Sequence, residues 1–294
     1  MAQSLLDTVL GKVLELLPET GDLNWDTHVA AVWREGAWVS RFVGYSQIDQ
    51  TGLQDLLNID DQKEKLVANT EQFLAGLPAN NALLWGARGT GKSTLVHALL
   101  NAYAGVGLRL VEVRKEDLSS LSMIVERLAG LPHFFIVFCD DLSFTVDDPS
   151  YKELKSALEG SIFKTAGNVL IYATSNRRHL VPEHMLDNQR ARMDQGELHE
   201  GEAIEEKISL SDRFGLWLSF YAFRQDAYLE VVFHWIAKLS VQYKIEVDAD
   251  DPQLRADALR WALARGARNG RTAQYFARHW VGKFGLGAQD SVGS

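Results

Sequence analysis

Eight consecutive residues have the types and spacing to hold phosphate. Gly86-Ala87-Arg88-Gly89-Thr90-Gly91-Lys92-Ser93 fits G-x-x-x-x-G-K-[S/T] without a mismatch. Gly86, Gly89 and Gly91 let the backbone curl so that its N–H groups point inward at anionic oxygens. The helix expected from Ser93 onward would add the favourable partial charge of its N-terminus. Lys92 would reach the terminal phosphates as a mobile point charge, and Ser93 would offer a hydroxyl to Mg²⁺. Thr94 follows as a weaker contact. An ordinary glycine turn is the bland alternative, and its context argues against it: an apolar strand precedes the loop and an amphipathic helix follows.

Two further strand ends carry polar groups. His133 to Cys139 is an apolar run closed by Asp140 and Asp141. Strand ends in open α/β sheets face the ligand crevice. Asp140 is therefore assigned to the Mg²⁺ shell, through water, and Asp141 to orienting or deprotonating an attacking water. Val169 to Ala173 is a second apolar run, closed by Thr174, Ser175 and Asn176. Asn176 can bond a terminal phosphate or hold the water, with Thr174 and Ser175 as weaker candidates. The competing readings are acids capping a loop and plain turn chemistry. Cys139 reads as a small core residue.

The elements that must position these groups alternate along the chain. Strands are expected at 82–85, 108–113, 134–138, 169–173 and 216–220. Helices are expected from near Gln62 to Ala75 and at 93–103, 116–128 and 151–158. The pattern predicts an α/β fold, a parallel sheet covered on both faces. After Gln225 the strand signal stops, and 227–241, 252–264 and 271–284 read as helices. The expected division is an N-terminal helix and Trp-rich extension (1–50), an α/β domain (51–224), a helical domain (225–285) and a loose tail (286–294). Leu5, Leu6, Val9, Leu10, Val13, Leu14 and Leu17 form one apolar helical face ended by Pro18. It reads as packed on its own domain, because its polar face lacks the Lys/Arg of a membrane-surface helix. Trp25, Trp33 and Trp38 are expected to pack on the main domain.

Bulk properties set limits. The 294 residues carry a formal charge of −9 and 46% apolar residues, which allows one large domain or two modest ones. The acidic balance disfavours nucleic acid as a partner. A single cysteine excludes a disulfide framework. No run of about 18 apolar residues predicts a membrane span, and a cytoplasmic location is the expectation. The eight histidines are scattered, without a His-Glu-x-x-His pattern. The acidic stretch from Glu183 to Lys207, with His184 and His199, reads as a solvated loop and helix start.

Taken together, the glycine loop, the acidic strand end, Asn176, the string Ser211-Asp212-Arg213-Phe214-Gly215 and the helical segment with Gly270-Arg271-Thr272-Ala273 resemble the AAA+ superfamily of ATPases. Longer strings narrow this. Asn58-Ile59-Asp60-Asp61-Gln62-Lys63, Asn80 to Gly86, Phe138 to Phe144, Ala173 to Leu180 and Glu205-Glu206-Lys207 are similar to a bacterial AAA+ ATP-binding family, catalogued as domain of unknown function eight-one-five. The resemblance implies a three-layer P-loop NTPase fold with a C-terminal all-helical lid. It implies ATP and Mg²⁺ as ligands, ATP hydrolysis, and a homo-oligomer acting on a protein partner. Leu57 and Ile59 would flank adenine. Arg213 would be the arginine finger reaching a neighbouring subunit. Arg271 would read the γ-phosphate from the lid, with Arg268 as its competitor, and Arg177 and Arg178 could face an interface. Asp141 stands where most AAA+ chains have Glu, which puts the hydrolysis rate in question. A nucleic-acid loader and an ATP-gated module with negligible turnover are the alternatives.

Overall fold

The computed structural model describes residues 23–36, 40–46, 49–144, 150–158, 167–177, 213–248 and 251–292. The expected helix from Leu5 to Leu17, Trp38, Arg178, Ser211, Asp212 and the acidic stretch 183–207 lie outside these residues.

Seven strands form one sheet: β1 (Ala30–Arg34), β2 (Arg41–Tyr45), β3 (Ala82–Gly86), β4 (Leu108–Glu112), β5 (Phe134–Cys139), β6 (Val169–Ser175) and β7 (Leu216–Phe220). Their order is β2-β1-β4-β5-β6-β3-β7. All pairings are parallel except that of β1 with the edge strand β2. The expected α/β architecture is present. The Trp-rich stretch differs from expectation, because it supplies two strands of the main sheet and is not merely packed against it. Trp33 is fully buried there, and Trp25 meets Phe135 edge-on at 5.0 Å.

The central strands are apolar without alternation because both their faces are covered. Alternate residues of β5 and β6 still go to opposite sides. Phe135, Val137, Cys139, Ile171 and Ala173 join a core with α3 (Leu121–Leu128) and α4 (Ser150–Leu158). Ile136, Phe138, Leu170 and Tyr172 join the opposite core, with α1 (Asp60–Leu74) and α2 (Lys92–Tyr103). Helix α1 buries Leu66, Asn69, Thr70 and Phe73, the i, i+3, i+4, i+7 stripe of one helical face. Its first turn carries Asp60 and Asp61, which suit the positive end of the helix dipole. The segment expected as one helix from Glu116 is a 3-10 stretch, Lys115–Ser120, followed by α3.

The helices α5 (Gln225–Tyr243), α6 (Pro252–Ala264) and α7 (Gly270–Val292) bury a core of their own around Tyr228, Val232, Ile236, Phe276 and Trp280. Asp251 caps α6 by accepting from Gln253 N at 2.8 Å, with Pro252 in the first turn. Helix α7 runs past Phe284 to Val292, so the stretch expected as a loose tail is largely helical. Among the described residues no helix is long and apolar enough to cross a membrane.

A buried polar knot ties α1 to the sheet. Asn69 Nδ2 donates to Asn80 O and to the Tyr172 hydroxyl, both at 2.9 Å, while Asn69 Oδ1 accepts from Asn80 N at 2.9 Å. Asn80 leads directly into β3, so this knot fixes where the strand begins. Asn69→Ala would orphan the Asn80 N–H and carbonyl together. We expect it to lower the unfolding free energy by about 2–3 kcal/mol, measured by urea denaturation beside the wild type.

Candidate functional site

Parallel pairing brings the three polar strand ends to one edge of the sheet. Trp85 pairs with Ser175, and Cys139 pairs with Ala173. Asp140 therefore comes level with Thr174, and Asn176 with Gly86 at the start of the glycine loop, two residues further along. The strand β3 lies between β6 and β7, while the chain leaving it passes over two strands to reach β4. That reversal opens the crevice above the strand ends.

The loop conformation requires its glycines. Gly86 has φ 130°, and a Cβ there would stand 1.9 Å from the carbonyl oxygen of Phe220 on β7. The same oxygen accepts from Ala87 N at 3.0 Å, so the loop is stitched to β7 as it starts. Gly91, at φ 102°, is the left-handed residue that turns the chain into α2. Thr90 Oγ1 closes the loop on itself by donating to Ala87 O at 2.8 Å. Lys92 is buried beneath it and donates to Gly86 O at 2.9 Å, Ala87 O at 2.8 Å and Asn176 Oδ1 at 3.2 Å. Burial pulls its ammonium down from 10.5 to about 8, against the pull of Asp141 and Asp140, while Arg271 and Arg88 lower it further.

The acids are held on the other side of the loop. Asp140 Oδ1 accepts from Ser93 Oγ at 2.6 Å and from Thr174 Oγ1 at 2.5 Å. Thr174 Oγ1 in turn accepts from Asp141 N at 2.8 Å. Asn176 Nδ2 donates to Asp141 Oδ1. Asp141 has φ 51°, a left-handed conformation that costs a non-glycine residue free energy and persists only where its surroundings impose it. Leu142 N donates to Thr174 O at 2.7 Å, and Ser175 Oγ donates to Leu142 O at 2.8 Å, which supply that constraint. Cys139, fully buried just below, has its thiol pushed up to about 12 by burial and by Asp140.

The helical region closes the site from above. Asn269 Nδ2 donates to Arg88 O at 2.9 Å, and Arg271 N donates to Gly89 O at 3.1 Å. Asn269 also caps α7 by accepting from Thr272 N at 2.8 Å. A cavity of about 650 Å³ lies between the loop and these helices. Arg88 to Thr94, Asp140, Asp141, Asn176, Leu57, Ile59 and Arg271 all line it. Arg268 and Arg213 are absent from its described lining. Arg213 stands just ahead of β7, at the far end of that strand from Phe220. Arg177 donates its backbone N–H to Ser175 Oγ at 3.2 Å.

Several lining residues were not foreseen. Gln274, Tyr275 and Arg278 follow Arg271 at i+3, i+4 and i+7 on α7. That polar stripe was readable once Arg271 was chosen. Trp235 of α5 and Asp55 from the short turn Leu53–Asp55 also border the cavity. Thr174, ranked low from sequence, holds the centre of the acid network.

Comparison with known proteins gives one family and a set of distant structural likenesses. The family described as "Protein of unknown function (DUF815)" matches residues 26–284. A single-substitution variant of Thermotoga maritima RuvB is similar at 14% identity and TM-score 0.45, over 76% of this chain and 70% of that one. The Aeropyrum pernix ORC1 protein, solved in complex with DNA, is similar at 17% identity and TM-score 0.49, over 78% of this chain and 63% of that one. No curated protein matches the sequence.

The lowered Lys92 value fixes a pH dependence. From about pH 8 to 10.5 the folded chain has released the Lys92 proton that the unfolded chain still holds, so the Lys92 contribution to stability rises with pH across that window, while Cys139, which keeps its proton up to about 12, works the other way above about pH 9. Below about pH 8 both states hold the proton, and the cost of the buried charge is fully present. In urea titrations from pH 7.5 to 10, the stability of the nucleotide-free wild type relative to Lys92→Met should rise with pH, since the Cys139 contribution is common to both and cancels.

Proposed function

We propose that the chain, which belongs to the DUF815 family, is an AAA+ ATPase that binds Mg-ATP in this cavity and hydrolyses it. The observation that carries the reading is the Asp140 carboxylate joined to Ser93 and Thr174 beside the glycine loop. The donor set fits Mg²⁺. It is all oxygen, with one carboxylate and one hydroxyl, as suits an ion held mainly by phosphates and water. Among the described residues no group of three or more His, Cys, Asp and Glu is placed to hold a metal.

In this reading the N–H groups of Arg88 to Ser93 cradle the phosphates, with Thr94 behind them, while Gly86 and Ala87, outside the cavity lining, hold the loop to β7 through the bond from Ala87 N to Phe220 O. Lys92 leaves the loop carbonyls for the β- and γ-phosphates. Ser93 and Asp140 hold Mg²⁺. Asp141 orients the attacking water, and Asn176, which already bonds both Lys92 and Asp141, links water to phosphate. Leu57 and Ile59 flank the base. Arg271 reaches down from the helical lid, which begins at Gln225, onto the γ-phosphate held by the α/β domain, which takes in β1 and β2 as well as β3 to β7. Arg213, which does not line this cavity, is read as the finger that reaches the site of a neighbouring subunit. The oligomer would couple hydrolysis to remodelling or switching a protein partner. The formal charge of −9 weighs against a nucleic-acid loader.

A second reading, an ATP-gated module with negligible turnover, is favoured by one observation. The Asp141 carboxylate is already engaged by Asn176 and is a methylene shorter than Glu. Steady-state turnover separates the two readings.

Asp141→Asn should keep Mg-ATP binding and cut turnover by about 10²–10⁴-fold. Specific activity should rise with protein concentration and fall by about 10³-fold in Arg213→Ala. Turnover that is independent of both concentration and Arg213 would remove the intersubunit site. Wild-type turnover no higher than that of Asp141→Asn would favour the gated module.

A further inference from the structure

One stripe of α5 grips the segment that carries Leu57 and Ile59. Asp55, at the end of the turn Leu53–Asp55, has a side chain only 3% exposed. Its Oδ1 accepts from His234 Nε2 at 3.1 Å, and its Oδ2 accepts from Gly52 N at 2.8 Å and from Lys238 Nζ. Burial works to raise this carboxyl, yet the bonds from Lys238, Gly52 and His234 outweigh burial and hold it below the usual range. Three residues on, Asn58 Nδ2 donates to Glu230 Oε2 at 3.1 Å and to Ala227 O at 3.4 Å. Asn58 reaches them from a left-handed backbone at φ 63°.

Ala227, Glu230, His234 and Lys238 are spaced i, i+3, i+7, i+11 along α5 and therefore share one face. The next residue round at each level, Val231 and Trp235, borders the cavity. Lys238 Nζ lies 5.1 Å from the centre of the Trp235 ring, and the His234 ring meets it edge-on at 5.8 Å. The gripped segment in turn backs the glycine loop: Leu56 and Ile59 are the side chains a Cβ on Gly91 would meet, at 3.5 and 3.6 Å. The lid is thus pinned on two sides of the cavity, to Arg88 and Gly89 through α7 and to Asp55 and Asn58 through α5.

We propose that Asp55 is a positioning residue. With His234 and Lys238 it latches the lid to the segment Leu53–Ile59 and sets how tightly the cavity closes on the nucleotide. The inference rests on the reading of that cavity as an ATP site. An ion pair suits this task because its two halves differ in what they lose on parting. Lys238, 34% exposed, can be taken up by water, whereas buried Asp55 cannot be hydrated without opening the joint. The latch therefore resists lid opening from the linker side.

The test uses the full chain with Asp55→Asn, Lys238→Met and the double variant. Two quantities are read: amide hydrogen exchange without nucleotide, and the dissociation constant for a fluorescent ATP analogue with Mg²⁺. Each single variant should exchange about tenfold faster in residues 52–59 and in α5, with β3 and β5 unchanged. Each should bind the analogue about tenfold more weakly. The double variant should be no worse than the poorer single one, because both changes remove the same pair. Additive losses, or exchange that quickens throughout the sheet, would overturn the latch as a specific device. Faster lid exchange with unchanged analogue affinity would overturn its positioning role. If wild type and variants alike bind no analogue, the nucleotide reading fails with the positioning role. The exchange arm then still decides whether the pair holds the lid.

Discussion

A single carboxylate oxygen gathers the centre of this molecule. Asp140 Oδ1 takes a proton donor from α2 through Ser93 and another from β6 through Thr174, while Asp140 itself follows directly on β5. Three segments distant in sequence are brought to one point by one acceptor. Parallel register makes this achievable, since the strands are already level when they reach the crevice. The charge does the rest, because hydrogen bonds to an ionised acceptor are the stronger kind. Thr174 then passes the constraint on to the Asp141 backbone, and Asn176 joins Asp141 to Lys92. Ser93, Asp140, Asp141, Asn176 and Lys92 are thus each oriented by another polar group and not by packing alone.

Much of this was legible in the sequence, for identifiable reasons. The glycine loop is local: its conformation and the start of its helix are encoded within eight residues. The buried strands are local too, since a strand covered on both faces must be apolar throughout. Asp140 and Asn176 could be found because strand ends are where open sheets bind ligands. The resemblance to a known family supplied Arg271 and the pocket residues Leu57 and Ile59, which composition and spacing alone do not mark. It also supplied the fold with its helical C-terminal region, which the structure shares.

What escaped notice is non-local or short. Strands β1 and β2 are five residues each and carry Arg34 and Arg41, so neither presents a clean apolar run. Thr174 looked like turn chemistry because its role depends on Asp140, 34 positions away. The partners of Asp55 lie 179 and 183 residues downstream, beyond any periodicity. A turn aspartate beside Gly52 looks unremarkable until the helix that meets it is in place. Helix α7 outlasted its expected end because Gly285 and Gly287 weaken a helix without forbidding it.

The lone cysteine has a practical meaning. Cys139 sits under Asp140 with no exposed surface, and with its thiol held near 12 it stays protonated and unreactive at neutral pH. The native chain therefore offers a silent background for thiol chemistry. A reporter dye or spin label on an introduced surface cysteine would mark one site only, with the natural residue left in place. Distances between the sheet and the C-terminal helices can be followed in an otherwise wild-type chain.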